Sequence, residues 1–181
     1  MTSNPQVIGM GNILFRDEGV GVYAAHYLRA AYRFTPAIEI ADGATMGFGL
    51  MNYFQLAGPP ARLLILDALL ADDQPGAVYL LANDQLTSIG PTMRPTAHEV
   101  DPIQLLKLAT AFGRPPEMSL LGIVPADTSE LAVGLTPELS AAFTRYVDAA
   151  IAELGACGVR AEQVRSVSLD DVIGELVTCQ P

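Results

Sequence analysis

Residues 62–69, RLLILDAL, are the most strongly apolar segment of the chain. The hydrophobic residues run without alternation, which is typical of a strand that is covered on both faces. This pattern predicts the central strand of a sheet enclosed between other layers. Only Asp67 interrupts the run, and burial of an unpaired carboxylate is costly. Asp67 therefore needs a partner, a metal ion or a set of hydrogen bonds.

Strand-like and helix-like segments alternate around this central run. The strand-like segments are QVIGM, AIEIADGAT, PGAVYLL and EMSLLGIVPAD. The helix-like segments cover about residues 17–33, 46–55, 101–112 and 135–155, and Thr136 and Pro137 give the last one a typical start. We interpret residues 83–97 as a loop and residues 159–169 as an edge strand or a tail. The alternation predicts an open, largely parallel α/β sheet.

Composition narrows the possible functions. A length of 181 residues favours one domain, and half of the residues are hydrophobic, so a sizeable core can form. The net charge of −10 argues against nucleic acid or an anionic membrane as the main partner. Neither a signal peptide nor a stretch long enough to cross a membrane is recognisable, and two cysteines make no disulfide framework. We expect a cytoplasmic protein.

Three carboxylates and one histidine lie at or near the ends of predicted strands. They are Glu18, Asp42, Asp67 and His98. Functional groups collect at the carboxyl ends of strands in such sheets. Two carboxylates and an imidazole can bind a divalent metal, and they suit zinc or nickel better than calcium. Each residue also has a local alternative: balancing a helix dipole, accepting backbone hydrogen bonds, forming a turn, or lying at the surface.

The start of the first predicted helix carries two acidic residues. Asp17 is placed to cap this helix, and Glu18 lies in its first turn, where the helix dipole favours negative charge. His26 follows Glu18 by eight helical residues, or about 12 Å along the axis. This separation argues against a shared metal ion, so we expect His26 on the helix surface or in packing.

Two other enzyme classes fit the sequence poorly. The segment GMGNIL has two glycines of a dinucleotide loop, but Leu14 replaces the third, and Asp17 and Glu18 would repel a pyrophosphate. A nucleotide-binding oxidoreductase stays an alternative. Cys157 and Cys179 have no nearby histidine in the sequence, and no G-x-S-x-G elbow occurs, which disfavours nucleophilic catalysis.

Six blocks in order resemble the maturation endopeptidases of nickel-iron hydrogenases. They are GMGNILFRDEGVG, ADGATMG, LILDAL, TAHEV, LLGIVPAD and GLTPEL, within about residues 6–160. The resemblance implies a three-layer α/β/α protein with a twisted, mostly parallel central sheet. It implies a single protease domain over residues 1–160. Residues 161–181 would be an extension of unknown role, as a disordered tail or a partner contact.

The resemblance also implies a function and a site. Family members remove a short C-terminal extension from the hydrogenase large-subunit precursor after nickel insertion. The resemblance assigns metal binding to Glu18, Asp67 and His98, and substrate handling to Asp42. We expect nickel to arrive with the precursor, although zinc or cadmium could occupy the site in vitro, and we expect a monomer.

The sequence leaves three points open. The D-G-G-T loop of the family is here DGAT, and Ala44 would be strained if that position required a positive φ. A nickel-sensing module that checks the precursor without cutting it would use the same ligands. The choice between a metal-activated water and a carboxylate general base, Asp42 or one of the ligands, is also open.

Overall fold

The computed structural model describes residues 4–44, 62–88, 94–95, 102–111, 113 and 115–178. The strands are β1 (Gln6–Gly9), β2 (Tyr32–Thr35), β3 (Glu39–Asp42), β4 (Arg62–Leu70), β5 (Val78–Ala82), β6 (Arg94–Pro95), β7 (Glu117–Ile123) and β8 (Arg160–Gln163). The helices are α1 (Val20–Ala31), α2 (Asn83–Ser88), α3 (Pro102–Ala111), α4 (Pro137–Ala156) and α5 (Leu169–Thr178), and a 3-10 helix (Arg16–Gly19) precedes α1.

The main sheet has the strand order β3-β1-β4-β7-β5. The first four strands of this order are parallel, and β5 is an antiparallel edge strand. Strand β4 is central, as its continuous apolar sequence predicts. Gly9 at the end of β1 is level with Asp42 of β3 and with Leu66 of β4. The ends of these three strands therefore meet at one edge of the sheet.

Helices cover both faces of this sheet. Residues of α1 and α4 pack with Leu64 and Leu66 of β4 in one core cluster. Residues of α2 and α3 pack with Leu63 and Ile65 in a second cluster on the other face. Burial of successive β4 residues on opposite faces explains why its sequence lacks alternation. The arrangement confirms the predicted three-layer α/β/α fold.

The first helix is shorter than its sequence pattern predicts. The helical prediction covered residues 17–33, whereas α1 ends at Ala31 and the chain continues as β2. Strand β2 pairs antiparallel with β8, so that Tyr32 is opposite Gln163 and Thr35 is opposite Arg160. The partner strand lies more than 120 positions later, and local periodicity does not contain that information.

The structure corrects two further predictions, and a third prediction concerns residues outside the described ranges. Residues 83–97, interpreted as a loop, include helix α2 and the short strand β6, which pairs with the end of β4. The edge strand expected within residues 159–169 is β8, but it forms a separate ribbon with β2 instead of joining the main sheet. The helix predicted at residues 46–55 lies outside the described residues.

The C-terminal segment forms a helix that packs on α1. Val172 of α5 is buried, and Leu169, Ile173 and Leu176 pack against the cluster that α1 and α4 share. Ser168 starts this helix, because its hydroxyl accepts the Asp171 N–H at 3.1 Å. Among the described helices, none is long and apolar enough to span a lipid bilayer.

Candidate active site

Glycines bring the start of α1 against the ends of β1 and β4. A Cβ atom on Gly21 would lie 2.1 Å from the carbonyl oxygen of Leu66 and 2.4 Å from that of Met10. Gly11 has a φ of +130°, and a Cβ there would lie 1.9 Å from the carbonyl oxygen of Glu18. Only glycine allows backbones to approach this closely. The glycine-rich block thus places Glu18, which is partly exposed, at the carboxyl edge of the sheet.

Asp67 is held at the same edge and is fully buried. Its Oδ1 atom accepts the Ala68 N–H at 2.8 Å. The side chain alternates with Leu66 and Ala68, so it is directed to the face that α2 and α3 cover. Burial raises the pKa of Tyr146 well above its ordinary value, and the negative charge of Asp67 raises it further. The Tyr146 hydroxyl therefore stays protonated and donates to the Leu121 carbonyl at 2.8 Å.

Asp42 ends β3 and lies apart from Asp67. It is level with Gly9 and Leu66, which are one and two strands away. Two strand spacings amount to about 10 Å. Asp42 also shares the sheet face of Leu66, which α1 covers, whereas Asp67 is directed to the other face. This separation argues against one metal ion bound by both aspartates.

His26 contacts Asp42, which the sequence analysis did not anticipate. The Nε2 atom of His26 lies 3.0 Å from Oδ2 of Asp42, and Arg29 contacts the Nδ1 atom at 2.9 Å. The expectation of a surface or packing role for His26 is therefore incomplete. Strand β3 follows α1 and lies beside β1, so the helix crosses near the end of β3. The rotation of α1 about its axis decides which side chain meets Asp42, and the sequence alone leaves this rotation open.

Asp17 is not a helix cap. Neither the 3-10 helix nor α1 has a side-chain hydrogen bond at its N-cap. The fully buried carboxylate instead accepts the backbone N–H groups of Ala126 and Asp127 at 2.9 and 3.1 Å. It also accepts both the N–H and the hydroxyl of Thr136, at 2.7 and 2.9 Å. Asp17 thus connects the block that carries Glu18 to the start of α4, and no local sequence feature reveals these distant partners.

The third expected ligand, His98, lies outside the described residues, and within the described ranges no three His, Cys, Asp or Glu side chains form a metal-binding group. Strand β6, which precedes His98, nevertheless lies beside the end of β4, because Pro95 pairs with Leu69 and Arg94 pairs with Leu70. Helix α3 begins at Pro102, four residues after His98. The segment with His98 therefore connects β6, which pairs with β4, to α3.

Two smaller expectations concern Ala44 and Cys157. In the described part of the chain, Arg16 is the one non-glycine residue with a positive φ. Ala44 therefore does not have the strained backbone that a positive φ would cause. Its N–H donates to Oδ1 of Asp42 at 3.0 Å. Burial raises the pKa of the Cys157 thiol, and the Arg62 charge opposes this in part. A raised pKa is the opposite of what an activated nucleophile needs, in agreement with the sequence prediction.

Comparison with known families and curated proteins shows consistent similarity. The model of the hydrogenase maturation protease family HycI matches residues 22–153, a range that contains Asp42, Asp67 and His98. The hydrogenase expression/formation protein HupD of Bradyrhizobium diazoefficiens is 30% identical over 84% of this chain and 79% of its own. The hydrogenase 2 maturation protease of Escherichia coli is 30% identical over 86% of this chain and 93% of its own.

Solved structures show the same similarity in three dimensions. The hydrogenase maturating endopeptidase HybD from Escherichia coli superimposes with a TM-score of 0.75 and is 28% identical, over 90% of this chain and 98% of that chain. The maturation protease HybD from Thermococcus kodakarensis gives a TM-score of 0.63 at 25% identity, over 82% of this chain and 97% of that chain. With the family model, these matches lead to one conclusion: the chain belongs to the HycI family of hydrogenase maturation proteases.

Proposed function

We propose that this protein is an endopeptidase that removes the C-terminal extension of a nickel-iron hydrogenase large-subunit precursor after nickel insertion. The observation that carries the proposal is the position of Asp67. It is a fully buried carboxylate at the end of the central strand, beside the glycine block that presents Glu18. Asp17 is buried to the same extent, but Asp67 differs from it in lying on a strand of the main sheet, near the carboxyl edge where functional groups collect. Membership of the maturation protease family supplies the reaction class.

The metal ligands in this proposal are Glu18, Asp67 and His98. Carboxylates and an imidazole fit nickel or zinc by their donor chemistry, and cadmium could replace them in vitro. The carboxylates of Glu18 and Asp67 lie at the same edge of the sheet. His98 is three residues from Pro95, which is level with Leu69, and three residues span at most about 11 Å. His98 is therefore within reach of the end of β4, which supports its inclusion.

Nickel belongs to the substrate in this proposal, because the precursor carries it to the protease. A divalent metal held by Glu18, Asp67 and His98 would supply Lewis-acid chemistry, polarising the scissile carbonyl or activating a water. The chain supplies one rigid donor, Asp67, whose Oδ1 is held by the Ala68 N–H. It supplies a second donor, Glu18, that is partly exposed to an arriving ligand. Cleavage would then be restricted to precursor that already contains nickel.

Asp42 has a different role in this proposal. Its distance of about two strands from Asp67 supports a contact with the precursor peptide instead of metal binding. There it would accept a hydrogen bond from the peptide, and it would be too far from a water at the metal to take its proton, which leaves that role to one of the ligands. We also propose a monomer as the active species.

The test is the intact mass of a cognate precursor before and after incubation with this protein. We expect loss of one discrete C-terminal peptide from nickel-loaded precursor and no change in nickel-free precursor. Binding of the loaded precursor without a mass change would replace the protease by a nickel-sensing checkpoint module. Cleavage that ignores nickel would overturn the metal-gated part of the proposal.

Variants test the ligands. Glu18→Gln keeps the size and removes the charge, and we expect at least about a hundredfold slower cleavage with an unchanged unfolding midpoint. Glu162→Gln in β8 is the matched control, because it makes the same chemical change at an exposed position of the β2–β8 ribbon, and it should cleave at the wild-type rate. Full activity of Glu18→Gln would remove Glu18 from the ligand set.

A further inference from the structure

We propose that His26 is a positioning residue that holds Asp42 in the orientation required for precursor processing. The inference rests on the proposed function and adds a residue to it. His26 lies on α1, and Asp42 lies at the end of β3, sixteen positions later. Their side chains are 19% and 24% exposed. The contact is therefore largely shielded from water, and it lies at the end of β3, where we place the precursor contact.

The hydrogen-bond partners fix the tautomer of His26. A guanidinium group has donors only. Because Arg29 donates to the Nδ1 atom at 2.9 Å, that nitrogen must be an acceptor and carries no proton. The proton of the neutral ring therefore resides on Nε2, from which it is donated to Oδ2 of Asp42 at 3.0 Å. Arg29, His26 and Asp42 thus form a chain of hydrogen bonds with one defined direction.

The same contact fixes the plane of the Asp42 carboxylate. Oδ2 accepts from His26, and Oδ1 accepts the Ala44 N–H at 3.0 Å. These two bonds occupy about half of the lone-pair positions of a carboxylate, which has about four. The remaining positions are consequently held in fixed directions. Without His26, the local turn contact from Ala44 would be the remaining side-chain hydrogen bond of Asp42 among the described residues, and the carboxylate could rotate.

The orientation matters because β3 is the outer strand on its side of the main sheet. In the described part of the chain, no further strand lies next to β3 on its outer side. Within the described ranges, the hydrogen bonds from His26 and Ala44 are the two that restrict the Asp42 side chain, so loss of either one leaves it freer to rotate. A precursor contact that depends on Asp42 should thus depend on His26 as well.

The experiment compares cleavage of nickel-loaded precursor by His26 and Asp42 variants. We expect His26→Leu to lower kcat/KM about tenfold, which corresponds to loss of one hydrogen bond to a charged group. His26→Gln should recover most of that loss, since its amide donates from nearly the same place as Nε2. In an Asp42→Ala background, His26→Leu should change the rate less than about twofold, because no side-chain acceptor for His26 remains.

Two arginine variants provide a matched control. Arg29→Ala removes the donor to His26, and we expect a decrease of about threefold. Arg33→Ala removes an equally exposed arginine of β2 and should leave the rate unchanged. Equal effects of the two substitutions would overturn the hydrogen-bonded chain.

Nitrogen NMR of the histidine rings adds a measurement that does not depend on activity. With His26→Gln as the assignment control, the wild-type ring should show a proton on Nε2 and an unprotonated Nδ1 at neutral pH. A proton on Nδ1 would overturn the inference. So would His26→Leu with wild-type cleavage, or Asp42→Ala with wild-type cleavage. If the wild-type protein leaves the loaded precursor intact, the proposed function itself fails, whatever the tautomer.

Discussion

Asp17 and Glu18 are adjacent acidic residues with opposite environments. Asp17 is fully buried and accepts four hydrogen bonds from two distant segments, whereas Glu18 is partly exposed. A buried carboxylate is tolerable when donors surround it. Asp17 therefore holds in place the turn from which Glu18 reaches the sheet edge.

Replacement of Asp17 should destabilise the whole protein. In Asp17→Asn the amide nitrogen would face backbone N–H donors, and one oxygen would have to serve all partners. We expect the free energy of unfolding to fall by about 2–4 kcal/mol in urea titrations. Asp148→Asn, at an exposed position of α4, is the control and should stay within about 0.5 kcal/mol of wild type. A similar small change for both would show that the four contacts are not formed in solution.

At the scale of elements, sequence patterns predicted well what depends on neighbouring residues. Strand β4 is predictable from its continuous apolar sequence. Helix α4 is predictable from its start, where Thr136 is followed by Pro137. The boundary between α1 and β2 was wrong because β2 exists through its pairing with β8. The same reason applies to β8, which was expected as an edge strand or a tail. It is a strand, but it pairs with β2 in a separate ribbon and not with the main sheet. Long-range pairing is invisible to local periodicity.

Helix α5 contributes stability through one face. Val172 is 2% exposed, whereas Val177 on the same helix is 50% exposed. We expect Val172→Ala to lower the unfolding free energy by about 1–2.5 kcal/mol through lost burial. Val177→Ala should be neutral or slightly stabilising, because alanine favours a helix more than valine does.

Urea unfolding of both variants and of the wild type measures this difference. Equal effects of the two substitutions would show that α5 does not pack on α1 in solution. The pair is a sensitive comparison, since the same two methyl groups are removed from the same helix in each case.

At the scale of the whole molecule, the alternation of segments correctly predicted a largely parallel α/β sheet, and the resemblance correctly implied its three layers. Glu18, Asp42 and Asp67 lie at the carboxyl ends of strands, as the general rule for such sheets requires. The partners of these residues could not be predicted. Asp17 and His26 acquire their contacts from the way in which α1 and the loop before α4 cross that edge. Such contacts depend on the rotation and tilt of complete elements.

The surface carboxylates of this acidic protein should make its stability depend on pH. Hydrogen bonds lower the pKa of three aspartates: from Tyr79 to Asp73, from the Ser129 N–H to Asp127, and from Ser168 to Asp171. A lowered pKa means that the unfolded chain binds protons more readily than the folded one. The stabilisation is therefore complete above about pH 4, the ordinary aspartate value, and is lost as pH falls through the folded values.

Urea midpoints measured from pH 6.5 down to pH 3 test this expectation. The midpoint should decline below about pH 4, and Asp127→Asn should decline less steeply than wild type. A midpoint that stays constant down to pH 3 would contradict it.

The four hydrogen bonds of Asp17 have a consequence for the order in which the protein matures during its own synthesis. Thr136 follows Asp17 by 119 residues. At about 5–20 residues per second, a ribosome needs roughly 6–24 s to make that length of chain. Before Ala126, Asp127 and Thr136 have been made, none of the four hydrogen bonds to the Asp17 carboxylate can form, and the turn that carries Glu18 is not yet tied to α4. That turn is therefore fixed late, only after Thr136 has been translated.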